Sequence, residues 1–351
     1  MIDSEKQLNT NVADVSENAL RERYPEVLEV LLRDHTTGKN IFWATDNYAE
    51  FGEGFNYHDE IMPAYITGKY GKVIRPRVQK DKELQAERVR NMAEVFTPSW
   101  ICNIQNNLID NEWFGCEGIF NHELTTNAGI HIWEENKAPI IFPEGKTWLD
   151  YVKSRRLEIT CGEAPYITSR YDTTTGEFIP VEHRIGMLDR KLRVINENVH
   201  ISVKWLKAAQ EAYRSIYAFE WQGASLLQAR EAMLYTFIEN YEKKFNRKTQ
   251  QKSIKYIAYI ISWNVWQMDG LKFVVPDSCN ETEIEHQQLE LLENYKTVKA
   301  FAPCPGCATG NHYNHNGINC LIKDWQLKDS ETKKYGKRIE FKTLFGKGVN
   351  K

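Results

Sequence analysis

The stretch Leu157-Glu-Ile-Thr-Cys-Gly-Glu-Ala-Pro-Tyr166 decides how this chain is read. A short apolar run delivers an acidic residue, Glu158. A Cys161-Gly162 turn follows, and Pro165 stands where a helix can start. Small residues in such a turn let the backbone approach a ligand, and a following helix offers unpaired N–H groups to it. The stretch therefore suits a nucleotide-like ligand. Strand–glycine–helix turns are common, so the neighbouring units must carry the assignment.

Two such units lie downstream. In Ser215-Ile-Tyr-Ala-Phe-Glu-Trp-Gln-Gly-Ala-Ser-Leu-Leu227 a strand over 216–219 ends in Glu220, and a helix with apolar Leu226, Leu227, Ala229 and Leu234 follows. A carboxylate at the carboxyl end of a strand can accept both hydrogen bonds of a ribose diol. In Ile257-Ala-Tyr-Ile-Ile-Ser-Trp-Asn-Val-Trp-Gln-Met-Asp-Gly-Leu271 a strand is expected to end near Asn264, with Asp269 in the loop beyond. An Asp there can accept from an exocyclic amine of adenine, and Trp221 or Trp266 can stack on the ring. The competing account is that Trp263 and Trp266 fill a core. From residue 148 to 275 strand and helix alternate, as an α/β sheet requires.

Upstream, Ala93-Glu-Val-Phe-Thr-Pro98 precedes a helix over 99–109, with Thr97 expected as its cap and Pro98 at its first position. With this piece in place the order resembles the gamma-class adenine-N6 DNA methyltransferases, including modification subunits of restriction systems. Glu-Val-Phe-Thr-Pro98 is similar to their opening Phe-x-x-Pro motif, and Glu158–Ala164 to their Asp-Pro-x-Cys-Gly-x-Gly loop. Residues 216–234 resemble their ribose-binding strand and helix, and Asp269-Gly-Leu271 their Gly-Asp-x-Leu segment. The resemblance covers residues 91–272. It implies a Rossmann-like methyltransferase sheet that binds S-adenosylmethionine. Phe96, Thr97 and Pro98 would cover the methionine end, and the Glu158 loop with Cys161, Gly162 and Ala164 would line the backbone of the site. Glu220 would hold the ribose, Trp221 would stack near the adenine, and Asp269 would accept from its amino group. The implied activity is DNA methylation at adenine N6, in a restriction–modification or phage setting, with DNA and a restriction or specificity subunit as partners.

The sequence departs from the family at three points. Ala164 stands where a second Gly is expected, which is tolerable if its φ is negative, and Ile159 stands in place of Pro. An insertion over 169–193, ending in Asp189-Arg-Lys-Leu-Arg193, could be a lid, a DNA-facing loop or a decoration. The Asn/Asp-Pro-Pro-Tyr/Phe tetrapeptide, which accepts from the target amine and stacks on the flipped base, occurs nowhere. Its place is held by Phe301-Ala-Pro-Cys-Pro-Gly-Cys307. A catalytically silent relative that binds DNA or a partner subunit is therefore the alternative. Glu340-Phe-Lys342 with Asp277 gives a third, weaker reading as a metal-dependent nuclease.

That same segment carries metal-ligand residue types. Cys304-Pro-Gly-Cys307 sets two thiolates within one turn, and zinc closes tetrahedrally with two more ligands. Cys279, Cys304, Cys307 and Cys320 make the simplest set, with His312 or His315 as substitutes.

Composition bounds these readings. The chain has 351 residues, 42% hydrophobic and 26% charged, which excludes disorder as the main state and allows about two domains. The polar start over 1–11 lacks an apolar signal stretch, no run is long enough to span a bilayer, and seven irregularly spaced cysteines suit a reducing cytosol. A cytoplasmic protein without membrane contact is expected. The net charge of −3 hides two basic segments. Residues 69–90 carry eight basic and three acidic side chains, and residues 323–351 carry nine and four. Arg75, Arg77, Arg88 and Arg90 in the first are candidate DNA phosphate contacts. The expected organisation is a helical and basic N-terminal extension over 1–90 and the S-adenosylmethionine-binding domain over 91–275. A small Cys-rich, basic module over 276–351 follows, opening with a polar helix over 281–295.

Overall fold

The computed structural model describes residues 15–79, 97–289 and 295–346. The apolar run over 19–32 forms two helices, α1 (Glu17–Arg23) and α2 (Pro25–Leu32). Pro25 has no N–H to continue the first and takes the first position of the second. After α3 (Pro63–Ile66) comes α4 (Ser99–Phe114). Pro98 is the residue before α4 rather than its first, and the cap is supplied by Asp172, whose Oδ2 accepts the Ser99 N–H at 3.2 Å. An antiparallel hairpin follows, β1 (Asn121–Thr125) with β2 (His131–Glu135). Next is α5 (Trp148–Lys153), which starts in a Thr147/Asp150 capping box.

The next seven elements are β3 (Arg156–Glu158), α6 (Met187–Asn198), α7 (Ser202–Arg214), β4 (Ile216–Glu220), α8 (Gly223–Phe245), α9 (Gln251–Asn264) and β5 (Val265–Gln267). The strands pair in the order β3-β4-β5, all parallel, with Glu158 beside Ala218 and Glu220 beside Gln267. Helical crossovers join them, as parallel pairing requires. The run before Asn264 is helix rather than the expected strand. Ile254, Ile257, Ala258 and Ile261 fall at helical spacing and all are buried. The strand is the three residues beyond it.

Two antiparallel hairpins complete the chain: β6 (Thr282–Leu289) with β7 (Tyr295–Ala302), and β8 (Leu321–Lys328) with β9 (Tyr335–Glu340). Between them lies the short helix α10 (Pro305–Thr309). The first hairpin replaces the expected polar helix, and Lys299 pairs across it with Glu283 at 2.5 Å. The result is a mixed α/β structure with several small sheets. Among the described residues, no helix is long and apolar enough to cross a membrane.

The core joins these parts. Leu20, Val27, Leu28 and Leu31 of the N-terminal helices share one buried cluster with Leu227, Ile257 and Ile261. Arg230, fully buried on α8, donates to the carbonyls of Leu31, Arg33 (3.0 Å), Val265 (2.8 Å) and Ser262 (3.3 Å). It thereby pins the end of α2 to β5. A second cluster sets Phe219 and Trp266 of the sheet against Cys320, Ile322 and Phe341.

The insertion buries several of its cations. Arg170 and Arg184 are buried against Glu239 at 2.7 and 2.5 Å, and Arg190 against Asp110 at 2.7 Å. The basic stretch over 189–193 lies on α6, where Arg190 is neutralised by Asp110 of α4 and the half-buried Arg193 pairs with Glu135 of β2 and Glu197 of its own helix. Lys191 reaches the last carbonyls of α5, including Val152 at 2.9 Å, and burial lowers its pKa well below the usual range.

Candidate functional site

The stretch that decides the fold leaves β3 and turns sharply. Thr160 (φ +48°), Gly162 (+54°) and Ala164 (+60°) are all left-handed, so the φ sign alternates along the turn. Ala164 thus occupies the conformation that favours glycine, contrary to the negative φ that would make it tolerable, at a cost of roughly 1–2 kcal/mol. The Cys161 N–H donates to Phe219 O at 3.0 Å, and the Ala164 N–H to Cys161 O at 2.7 Å. No helix starts at Pro165. A single turn forms there, and α6 docks directly on it, its Met187 and Leu188 N–H groups donating to Tyr166 O and Ile167 O at 2.8 and 2.9 Å. The insertion loops out between the turn and its helix.

Glu220, at the end of β4, holds this turn. Its Oε2 accepts the Gly162 N–H at 2.8 Å and its Oε1 the Gln222 N–H at 3.2 Å. One strand over, Glu158 is buried and its Oε2 has no hydrogen-bond partner. Burial first, and the nearby Glu220 carboxylate, raise its pKa well above the usual carboxylate range, although N–H groups of Tyr166 and Ile167 oppose this. Burial also pushes the Cys161 thiol up, which disfavours its thiolate.

These groups border a cleft of about 1260 Å³. Thr97, Glu158, Cys161, Gly162, Glu220 and Trp221 line it, six of the residues singled out in the sequence. Ala164 is buried behind the turn, and Pro98 does not line the cleft. Asp269 lies outside it as well. Its Oδ1 accepts the Leu271 and Lys272 N–H groups at 2.9 and 3.1 Å and its Oδ2 pairs with Lys272 at 3.3 Å, so it closes its own turn. Trp266 belongs to the second core cluster, as the competing account has it. Phe96, Arg88, Arg90 and the side chain of Arg77 lie outside the described residues, and Arg75 is exposed.

Three lining residues carry no signal in the sequence. Asn106 of α4 donates to Tyr166 O and Ile185 O at 3.0 and 3.1 Å, leaving its buried Oδ1 without a partner. Tyr166 hydrogen-bonds Thr97 through its phenol, and burial raises its pKa. Tyr57 accepts from Trp221 Nε1 at 3.1 Å and donates to Asp277 Oδ2 at 2.5 Å. Burial and Asp277 push it up to about 12. Gln267 fixes the far side, donating to Trp221 O at 2.8 Å.

The segment that replaces the catalytic tetrapeptide does not line the cleft. Phe301 is 70% exposed at the end of β7, and Cys304 and Cys307 turn toward Cys279 and His315. The ligand atoms of these four residues lie within 4.8 Å of one another, and the group could hold a metal ion. Cys320 is not among them. It is buried beside Ile322, its Sγ donates to Gln267 O at 3.4 Å, and His315 takes its place. His312 bonds Leu271 O instead. Asp277 and Glu340, the acids of the nuclease reading, are engaged with Tyr57 and Lys342. No family model, no curated protein and no solved structure matches the chain.

Proposed function

We propose that the chain binds S-adenosylmethionine in the cleft at the ends of β3 and β4 and acts as, or within, a DNA methyltransferase directed at adenine N6. The observation that carries this reading is the pair of acids on adjacent parallel strands at one cleft: Glu220 clasping the Gly162 turn, and Glu158 buried with an unpaired oxygen. A buried acceptor without a partner costs free energy, and two of the several in this chain, Glu158 Oε2 and Asn106 Oδ1, lie in this one wall. They suit a ligand rich in N–H and O–H donors and carrying positive charge. S-Adenosylmethionine offers an α-ammonium group, a ribose diol and an aromatic base.

Glu220 accepts from the diol while keeping its two backbone N–H donors, since a carboxylate has about four acceptor sites. Trp221 offers its ring to the base. Glu158 and Asn106 accept from the ammonium end, and Thr97 closes that end from the segment before α4. Bound S-adenosylmethionine supplies an electrophilic methyl group, and the chain's contribution to transfer is position. The three parallel strands are read as the cofactor-binding half of a Rossmann-like sheet.

A second reading has its own observation. Residues 301–307 stand away from the cleft, so no described segment brings the tetrapeptide's chemistry to the cofactor. A chain that binds cofactor, DNA or a restriction or specificity subunit without transferring methyl fits this equally simply. Transfer of tritiated methyl from the cofactor to DNA separates the two, with Glu220→Ala as control. Cofactor binding without incorporation leaves the silent reading. No binding of cofactor or of S-adenosylhomocysteine removes both.

A further inference from the structure

Outside the cleft, the group with the most ordered chemistry is the Cys/His cluster between the two C-terminal hairpins. His315 Nδ1 stands 3.6 Å from Cys279 Sγ, 3.7 Å from Cys304 Sγ and 3.6 Å from Cys307 Sγ. One ring nitrogen carries either one proton or one lone pair, so it cannot hydrogen-bond three thiols at once. Equal spacing to all three is what a shared central cation produces. With Zn–S near 2.3 Å, Zn–N near 2.05 Å and tetrahedral angles, the ligand sulfur and nitrogen sit about 3.6 Å apart. The observed distances match that figure without adjustment.

We propose that Cys279, Cys304, Cys307 and His315 form a closed, structural zinc site that fastens the two feet of the β6–β7 hairpin. Three thiolates and an imidazole are the soft and borderline donors that zinc takes in structural sites, and four protein ligands leave no open position for catalysis. The surrounding chain is shaped for the knuckle. A Cβ on Gly306 would fall 2.6 Å from the His315 ring, and one on Gly317 would fall 2.7 Å from Ser278 Oγ and 3.2 Å from Cys279 Sγ. Only glycine lets the Cys-Pro-Gly-Cys turn lie flat on the histidine. Three thiolates around Zn²⁺ leave one excess negative charge. The Asn316 N–H donates to Cys304 Sγ at 3.3 Å, and the Lys272 ammonium lies near Cys279 and Cys307. Such outer partners orient metal ligands and spread their charge.

The position of the site defines its task. Cys279 lies three residues before β6 and Cys304 two residues after β7, so the ion joins the entry and exit of the hairpin. The Asn316 side chain completes the join, accepting the Asn280 N–H at 3.0 Å and donating to Asn280 O at 2.7 Å. Each arm of eight residues reaches roughly 26 Å, and its direction is set at these feet. The inference is independent of what the cleft binds.

The test is metal analysis of the purified full chain, with cobalt substitution to read the ligands. The wild type should carry about one zinc per chain, and its cobalt form should show thiolate charge-transfer bands with tetrahedral d–d intensity. Cys304→Ser with Cys307→Ser should bring the metal to near zero, while Cys320→Ser should keep it. His315→Cys should keep the metal and shift the cobalt spectrum toward four sulfurs, which a merely structural histidine would not do. If the double variant fails to fold, the His315→Cys and Cys320→Ser proteins decide. A metal-free wild type after expression with zinc overturns the site, and so does Cys320→Ser losing metal or an unshifted His315→Cys spectrum.

Discussion

Glu220→Ala is the substitution that most directly interrogates the cleft. In the structure the carboxylate accepts two backbone N–H groups, from Gly162 at 2.8 Å and from Gln222 at 3.2 Å, and it lines the cleft. The proposed ribose diol would add charge-assisted bonds worth about 1.5–3 kcal/mol each before compensation. A net loss near 2 kcal/mol corresponds to roughly 30-fold weaker binding, since 1.4 kcal/mol is tenfold. Calorimetric titration with S-adenosylhomocysteine reads this directly. Loss of the Gly162 tether also loosens the turn, so affinity alone cannot assign the contact. The 2′-deoxy ligand closes the cycle. It should bind the wild type about tenfold or more weaker than the parent ligand, and bind Glu220→Ala no worse than the parent does. Equal sensitivity of both proteins to the missing hydroxyl would refute the assignment of Glu220 to the ribose, and wild-type affinity in the folded variant would remove the cleft as a nucleoside site.

The same wall gives a pH prediction. Glu158 has its carboxyl pKa raised by burial, so the folded protein holds a proton that the unfolded chain releases above its ordinary value. Its contribution to stability is therefore present below about pH 4 and is lost as pH rises toward the raised folded value. Glu158→Gln should match the wild type in thermal unfolding at pH 4 and exceed it at pH 8. The opposite trend would mean a buried cation partner. The same variant should weaken binding of a cationic cofactor more than of its uncharged fragments. Arg230→Met tests the junction of the N-terminal helices with the sheet. The buried carbonyls of Leu31, Ser262 and Val265 and the part-buried one of Arg33 lose this donor, at about 1–3 kcal/mol for each buried one left unpaired. Urea unfolding should shift by several kcal/mol in one transition. A variant within 1 kcal/mol of wild type, roughly the reach of a surface change, would show the link to be idle.

What the sequence made legible is local. Glu158, Cys161, Gly162 and Glu220 were found because a strand ending in an acid and followed by small residues is a contiguous pattern, and parallel pairing brings two such ends together. Tyr57 reaches the same cleft from 100 residues upstream and Asn106 from the middle of α4, and no periodicity announces that. The basic run over 189–193 reads as solvated charge until Asp110, 80 positions upstream of Arg190, is placed against it. Asp269 fits the family's pattern, yet its Oδ1 is taken by the two N–H groups that follow it and its Oδ2 by Lys272. Cys320 was legible in principle. Cys320, Ile322 and Asp324 are buried at alternate positions, so the strand period sends that thiol into the core and frees the fourth ligand position for His315.

The metal cluster and the cleft share a connection that makes one more outcome decisive. Asp277 lies two residues before Cys279, accepts from Tyr57, and Tyr57 in turn accepts from Trp221 Nε1 in the cleft wall. The Asp277 backbone is left-handed, at φ +51°, so the chain between β5 and the knuckle is held bent where it meets Tyr57. An ion that fixes Cys279 thereby fixes the acceptor that positions Tyr57, and through it the ring of Trp221. Tyr57→Phe removes the relay's only hydroxyl while leaving every metal ligand in place. Metal content should be unchanged, and S-adenosylhomocysteine affinity should fall about fivefold, the worth of one net hydrogen bond near 1 kcal/mol. Chelation should weaken binding to the wild type and add nothing in Tyr57→Phe. Equal weakening of both proteins would mean that the ion acts on the cleft by another route. Chelation without effect on either would confine the ion to the hairpin.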